Sequence, residues 1–278
     1  MVTNETGRKQ LVAIDGKSCR SSHDRSKDLG PLHIVSAWAT EEGLALGQVA
    51  ADDKSNEITA IPQLLSQLSL RDAIVTIDAI GCQKNIVEQI DEAKGTYVIA
   101  VKENQPTLAA EVRKLISEQM EGDREELLDR SYGTREKGHG RIDERTYRIM
   151  KLPQKGSLHK EWPSVKAIGY ATRITHTPDG DEQEDTRFYI SNAFLSARRF
   201  AEAVRGHWGI ESMHWVLDVN FREDENPTAE RSLANNLSWL RRFAIGLLKR
   251  VQDEHSLRGR MQMAGWSTDV LEKILLGQ

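Results

Sequence analysis

The chain has 278 residues, of which 38% are hydrophobic and 29% charged, a globular composition with enough apolar material for a core. No apolar run approaches the roughly 20 residues of a membrane helix. The first residues, Met1-Val2-Thr3-Asn4-Glu5, do not form a hydrophobic signal segment. A net charge of −4 excludes a globally basic nucleic-acid binder, and two cysteines, Cys19 and Cys82, supply neither a disulfide framework nor a zinc spacing.

Leu11-Val12-Ala13-Ile14-Asp15-Gly16 reads as a buried strand that ends in an acid and a glycine. Strands follow at Leu32–Trp38 and Leu44–Val49, joined by a hairpin turn at Glu41-Glu42-Gly43. The period then becomes helical through Ile58, Ile61, Leu64, Leu65 and Leu68, with Ser55 or Asn56 as cap and Pro62 placed as an early-turn proline. A second strand of the first type, Ala73–Ile77, runs into Asp78. Next come a helix through Ile86, Val87 and Ile90, a strand at Tyr97–Val101, and a helix after Pro106. This order predicts antiparallel strands followed by βαβ crossovers, hence a mixed sheet, with Asp15 and Asp78 at strand ends.

Between about Glu121 and Ser191 the glycine-rich turns and short strand-like runs, clearest at Val165–Ile174 and Phe188–Ile190, read as a β-rich insertion. The chain is helical again from Ser196, and Leu233, Leu237, Leu240, Ala244, Leu247 and Leu248 make an apolar stripe on a long helix. The expected organisation is residues 1–120 as the first part of an α/β domain, 121–192 as the insertion, and 193–278 as a helical part completing the domain. Two local basic excesses stand out: seven Lys/Arg against three Asp/Glu between Arg130 and Lys151, and seven against two between Arg231 and Arg260. Such patches mark either a DNA surface around an acidic centre or ordinary solvated faces.

A strand-end aspartate taken singly is often a turn residue. A third acid changes the weighing. On a helix, Ile210, Met213, Leu217 and Phe221 fall on one apolar stripe, and His207, Glu211, His214 and Asp218 on a neighbouring polar one. Attack on a phosphodiester needs an activated oxygen nucleophile, a stabilised leaving oxygen and neutralised charge. Two Mg²⁺ ions about 4 Å apart supply all three, and Mg²⁺ takes hard carboxylate oxygens. Zinc fits less well, because the order is not His-Glu-x-x-His.

Several motifs together resemble the DDE transposases of bacterial insertion sequences, in the group that includes the H-repeat-associated proteins. They are Ala13-Ile14-Asp15-Gly16-Lys17, Val35-Ser36-Ala37-Trp38, Lys54-Ser55-Asn56-Glu57-Ile58 and Thr76-Ile77-Asp78-Ala79-Ile80-Gly81-Cys82-Gln83. Further on come Lys102 with Asn104-Gln105, His139-Gly140-Arg141-Ile142, His207-Trp208-Gly209-Ile210-Glu211, His214-Trp215-Val216-Leu217-Asp218-Val219 and Asn220-Phe221-Arg222-Glu223-Asp224. The resemblance implies an α/β, RNase H-like mixed sheet flanked by helices, with a β-rich insertion before the last catalytic helix. It implies that Asp15, Asp78 and Glu211 are the catalytic, metal-holding acids, with two Mg²⁺ ions for which Mn²⁺ substitutes. The implied reaction is hydrolysis at element ends followed by strand transfer into target DNA, by a homodimer on paired ends in the cytoplasm, associated with the nucleoid and not with membrane.

Residues expected to touch DNA are Lys17, Lys102, Asn104, Gln105, His139, Arg141, His207, Trp208, His214 and Trp215. Each has a plainer alternative: loop structure for Lys102, Asn104 and Gln105, a solvated hairpin for His139 and Arg141, core packing for the tryptophans, satisfied helix histidines, and charge balance for Lys17. The chain departs from the pattern at three places. Only Met1–Gln10 precede the first strand, as in an N-terminally shortened copy. Glu103 stands where the group's Lys-Gly-Asn-Gln motif has glycine. Val204, His207 and Asp218 occupy positions where related transposases more widely carry Tyr, Arg and Lys. Two other functions fit the same residues: an inactive DNA-binding remnant, and an RNase H-like nuclease acting on branched DNA.

Overall fold

Branched apolar residues and tight turns build the first elements. The computed structural model describes residues 9–51, 57–121, 131–138, 140–153 and 156–277. Strands β1 (Gln10–Cys19), β2 (Leu32–Ala39) and β3 (Leu44–Ala51) come first, and Gly43 takes the left-handed φ of +66° that the β2–β3 turn requires. Helix α1 (Glu57–Leu65) follows; its expected caps, Ser55 and Asn56, lie outside the described residues. Pro62 sits well inside α1, beyond the first turn. The carbonyl it leaves without a helical donor belongs to Ile58, on the helix's exposed side.

Strand β4 (Ala73–Ile77) runs into Asp78 and a short 3₁₀ turn, Ala79–Gly81. Then come α2 (Lys84–Glu92), β5 (Thr96–Val101) and α3 (Pro106–Met120), with Pro106 in the first turn, where its missing N–H costs nothing. The β-rich segment holds β6 (Ser131–Gly138), β7 (Arg141–Lys151), a short helix α4 (Ser157–Glu161), β8 (Ala167–His176) and β9 (Glu182–Ser191). Helix α5 (Ala197–Gly206) starts where the Ser196 side chain accepts the Arg199 N–H. After it come α6 (Trp208–Val219), α7 (Arg231–Arg250), α8 (Leu257–Trp266) and α9 (Thr268–Leu276).

The chain divides into two compact units. One comprises residues 12–68 and 208–278. Its strands run β3-β2-β1, all antiparallel, with β2 buried along its whole length. Ala13, Trp38, Ile210, Met213, Leu217 and Ile245 form one core cluster, so α6 buries the expected apolar stripe. Phe221 lies past the helix end yet packs against the same cluster.

The other unit comprises residues 1–11 and 69–207. Its strands run β4-β5-β9-β8-β7-β6. The β4–β5 pair is parallel, as a βαβ crossover through α2 demands; β5–β9 and the remaining pairs are antiparallel. The sheet is mixed, as the element order implied. Leu11, Ile74, Val98, Tyr147, Ile149, Tyr189 and Phe200 are among the residues of its core.

Three local expectations are corrected. Strand β1 does not stop at Asp15: pairing with β2 continues through Asp15↔Ser36 and Gly16↔Val35 to Cys19↔Leu32, so Asp15 is a mid-strand residue. Asp78 does follow a strand end. His207 does not share a helix with Glu211: it is the C-terminal cap of α5, and α6 begins at the next residue. On α7 the apolar stripe is only in part the buried face: Leu248 is buried and Leu237, Ala244 and Leu247 are half-buried. Leu233 and Leu240 are exposed, and Ala234, Ser238, Arg242 and Ile245 point inward, because Glu223 neutralises the buried arginine.

Candidate active site

In the unit of residues 12–68 and 208–278, β1 offers Asp15 and Lys17 from the same face, since alternate strand residues share a side. The Asp15 carboxylate, about a quarter exposed, lies 3.5 Å from Nδ1 of His214 on α6. Glu211, exposed, sits one helical turn before His214 on the same helix. Two carboxylates and an imidazole are therefore contributed by one strand and one helix of one unit.

Lys17 is committed elsewhere. Its Nζ is 2.7 Å from Asp218 Oδ1, 2.8 Å from Asp224 Oδ1 and 3.6 Å from Glu223 Oε2. Burial alone would lower its pKa. Hydrogen bonds that its ammonium donates to Asp218 and Asp224, with the charge of Glu223, outweigh that and raise it above the ordinary lysine value. Behind it, Glu223 and Arg242 are both fully enclosed: Glu223 Oε1 accepts from Ser238 Oγ at 2.8 Å and stands 3.4 Å from Arg242 Nη1, and Arg242 also bonds Ser238. Burial pushes the Arg242 pKa down, and Glu223 counters it. A pocket of about 290 Å³ opens beside this cluster, lined by Gly16, Lys17, Ser18, Arg20, His33, His214, Asp218 and Asp224.

In the other unit, Asp78 caps the 3₁₀ turn through a 3.0 Å bond from the Ile80 N–H. His207 Nδ1 is 3.1 Å from the Thr76 hydroxyl. Burial lowers the His207 pKa, and the nearby Asp78 charge opposes that shift. Asn104 Nδ2 donates to the Ala79 carbonyl at 2.6 Å and Gln105 Nε2 to the Cys82 carbonyl at 2.9 Å. These two amides brace the turn that follows Asp78. Glu103 is not among the residues of positive φ, so the backbone there does not call for glycine, and its carboxylate pairs with Arg113 at 2.5 Å. Lys102 is exposed. Arg141 is half-exposed, 3.7 Å from Asp143. His139 lies outside the described residues.

Trp208 and Trp215 are 40% and 62% exposed and do not serve as core aromatics. Two buried pairs, His33 with Glu57 and Glu223 with Arg242, carry no mark in the sequence pattern. Glu57 and Glu223 both fall inside quoted motifs, but nothing in the spacing marks their partners.

Among the described residues no three His, Cys, Asp or Glu side chains converge as a preformed metal cage. Asp15 and Glu211 nonetheless fit Mg²⁺ by donor chemistry, because that ion takes one or two carboxylates and completes its shell with water and substrate phosphate. Neither residue is a soft donor that would favour zinc.

The sequence matches the family described as Transposase DDE domain over residues 6–247, a span that includes Asp15, Asp78 and Glu211. YncI of Escherichia coli O157:H7 is 36% identical over 275 residues, covering 96% of this chain and 69% of its own length. YhhI of Escherichia coli strain K12, an H repeat-associated protein, is 37% identical over 277 residues, covering 97% of this chain and 72% of its own. Both relatives are named as transposases. A cryo-EM structure of the piggyBac transposase synaptic complex with hairpin DNA aligns over 96% of this chain and 54% of that one, at 10% identity and a TM-score of 0.49. The chain belongs to the DDE transposase family. No helix among the described residues is long and apolar enough to cross a membrane.

Proposed function

We propose that this chain is a metal-dependent DNA transposase that hydrolyses phosphodiesters at element ends and transfers the freed strand into target DNA. The observation that carries the reading is the placement of Asp15 against His214, on the helix that bears Glu211, in a member of the DDE family. Asp15 and Glu211 act as carboxylate ligands, and Asp78 is the third acid of the set. Bound Mg²⁺ or Mn²⁺ supplies charge neutralisation and lowers the pKa of a coordinated water. His214 holds the Asp15 carboxylate, as an outer partner orients a ligand.

DNA is the partner. Lys102 and Arg141 are free enough of burial to meet phosphate oxygens. Trp215 and Trp208 present ring surface on which an unpaired base stacks. Lys17, Asn104 and Gln105 act first within the protein, through the ion cluster and the brace described above. The working form is a homodimer on paired ends, in the nucleoid.

One assay tests the reading: purified protein with end-containing DNA, a target plasmid, and Mg²⁺ or Mn²⁺. Cleavage at the ends with joined products supports it. Cutting of branched DNA without end preference points to a nuclease, and salt-sensitive binding with no cleavage under either metal points to an inactive binding remnant.

A further inference from the structure

Glu57, at the start of α1, is 4% exposed, and His33, on β2, is 2% exposed. The His33 ring stands between two partners: Nε2 is 2.6 Å from Glu57 Oε1, and Nδ1 is 2.9 Å from Ser18 Oγ. A carboxylate opposite Nε2 requires a proton on that nitrogen. In the neutral ring Nδ1 is then the acceptor and the Ser18 hydroxyl donates. Both hydrogen-bonding positions of the ring are used, so its orientation is fixed from two sides.

The pair lies across Gly16. A Cβ at that residue would come within 1.7 Å of Glu57 Oε1 and 2.4 Å of His33 Nε2. Gly16 is therefore glycine because the acid and the imidazole occupy the space of its side chain. A buried acid–imidazole pair is an expensive way to fill that space, since apolar side chains of similar volume pack as well or better. The pair also meets β1 from the side of residues 16 and 18, whereas Asp15 and Lys17 use the other side to meet His214, Asp218 and Asp224. The strand is gripped on both faces at the residues next to Asp15.

We infer that Glu57 and His33 are positioning residues for Asp15: by occupying the space at Gly16 and bonding Ser18, they fix the β1 backbone so that the Asp15 carboxylate is presented to the metal. The inference rests on the reading of Asp15 as a metal ligand. Loss of an outer support of this kind costs about 10- to 100-fold in metal affinity.

The test measures Mn²⁺ binding to the full chain, without DNA, by the loss of the free-ion electron paramagnetic resonance signal. Circular dichroism and thermal melting are recorded on the same samples. Glu57→Ala and His33→Ala are expected to weaken Mn²⁺ binding at least 10-fold with the parent's circular dichroism. Glu57→Gln, which keeps an acceptor oxygen opposite Nε2–H, recovers most of that loss. Ile149→Ala, in the core of the unit that holds neither Asp15 nor Glu211, lowers stability and leaves Mn²⁺ binding at the parent value. Where Glu57→Ala does not fold, Glu57→Asp and His33→Gln decide in the same way. Asp15→Asn is run in parallel. If Asp15→Asn loses Mn²⁺ but the folded Glu57 and His33 variants bind it like the parent, the positioning role is overturned and the catalytic reading stands. If Asp15→Asn itself binds Mn²⁺ like the parent, the catalytic reading is what fails.

Discussion

His214 Nδ1 stands 3.5 Å from the Asp15 carboxylate and one helical turn from Glu211. One imidazole thus ties the strand carrying the first acid to the helix carrying the last. Asp15→Asn and Glu211→Gln are each expected to reduce metal-dependent DNA cleavage by about 10²- to 10³-fold, on the order expected when a charge-stabilising group is removed. His214→Ala, which removes an orienting partner, should cost about 10- to 100-fold. Single-turnover cleavage of end-containing DNA measures all three. Parent-like rates in both acid variants would remove these residues from the chemistry.

The fully buried Glu223 serves Arg242, Ser238 and Lys17 together. Replacing it with alanine strands a buried guanidinium and weakens the hold on Lys17. The expected loss is about 3–5 kcal/mol of folding stability, read from urea unfolding. A loss below 1 kcal/mol would mean that Arg242 finds another partner or water.

Asp143, on β7, is enclosed, yet its pKa lies low, at about 2. Burial raises it; bonds from Thr175 and Arg173 and the charges of Arg173 and Arg145 more than reverse that. A carboxylate held below its unfolded value of about 3.9 adds stability that is complete above that pH and lost as pH falls toward 2. Asp143→Asn is therefore expected to destabilise the protein near neutrality by on the order of 1–2 kcal/mol, discounted because Arg173 is partly solvated. The gap from the parent should close between about pH 4 and pH 2 in melting curves. A gap independent of pH would show that the cluster does not depend on the charge.

The inward line of α7 runs through Ile245, not through Leu240. Ile245→Ala should cost about 2–4 kcal/mol, and Leu240→Ser should stay within about 0.5 kcal/mol, both by urea unfolding. Equal losses would return Leu240 to the core.

Asn104 braces the turn after Asp78 through a single 2.6 Å bond to the Ala79 carbonyl. Asn104→Ala should lower cleavage with little change in DNA affinity, since the amide is turned toward the protein. Filter binding and single-turnover kinetics separate the two. A fall in affinity with unchanged cleavage would instead make Asn104 a DNA contact.

Much of the fold was legible because its signals are local. The helix after Pro106, the turn at Gly43 and the return to helix at Ser196 each depend on residues within one turn of chain. The parallel β4–β5 pair followed from the alternation of strand and helix. The extension of β1 past Asp15 was not legible, because Gly16 and Lys17 read as punctuation until β2 supplies hydrogen bonds and Asp218 and Asp224 supply charge. The break at His207 was equally hidden, since both sides of it are helical by period. The α7 face was legible only in part, at Leu248, because apolar count identifies an amphipathic helix but does not say which face a buried arginine will claim.

By itself the sequence determined the order of elements, the family and the three acids worth testing, since these rest on pattern and motif. Only the tertiary structure decided which charges are already used. Lys17 and Arg242 look like free cations in the chain, and Glu57 like an ordinary helix-start acid. Lys17 and Arg242 are neutralised by carboxylates up to 207 residues away along the chain, and Glu57 is hydrogen-bonded to His33, at separations where local pattern carries no information and polar attraction in a dehydrated interior is strong.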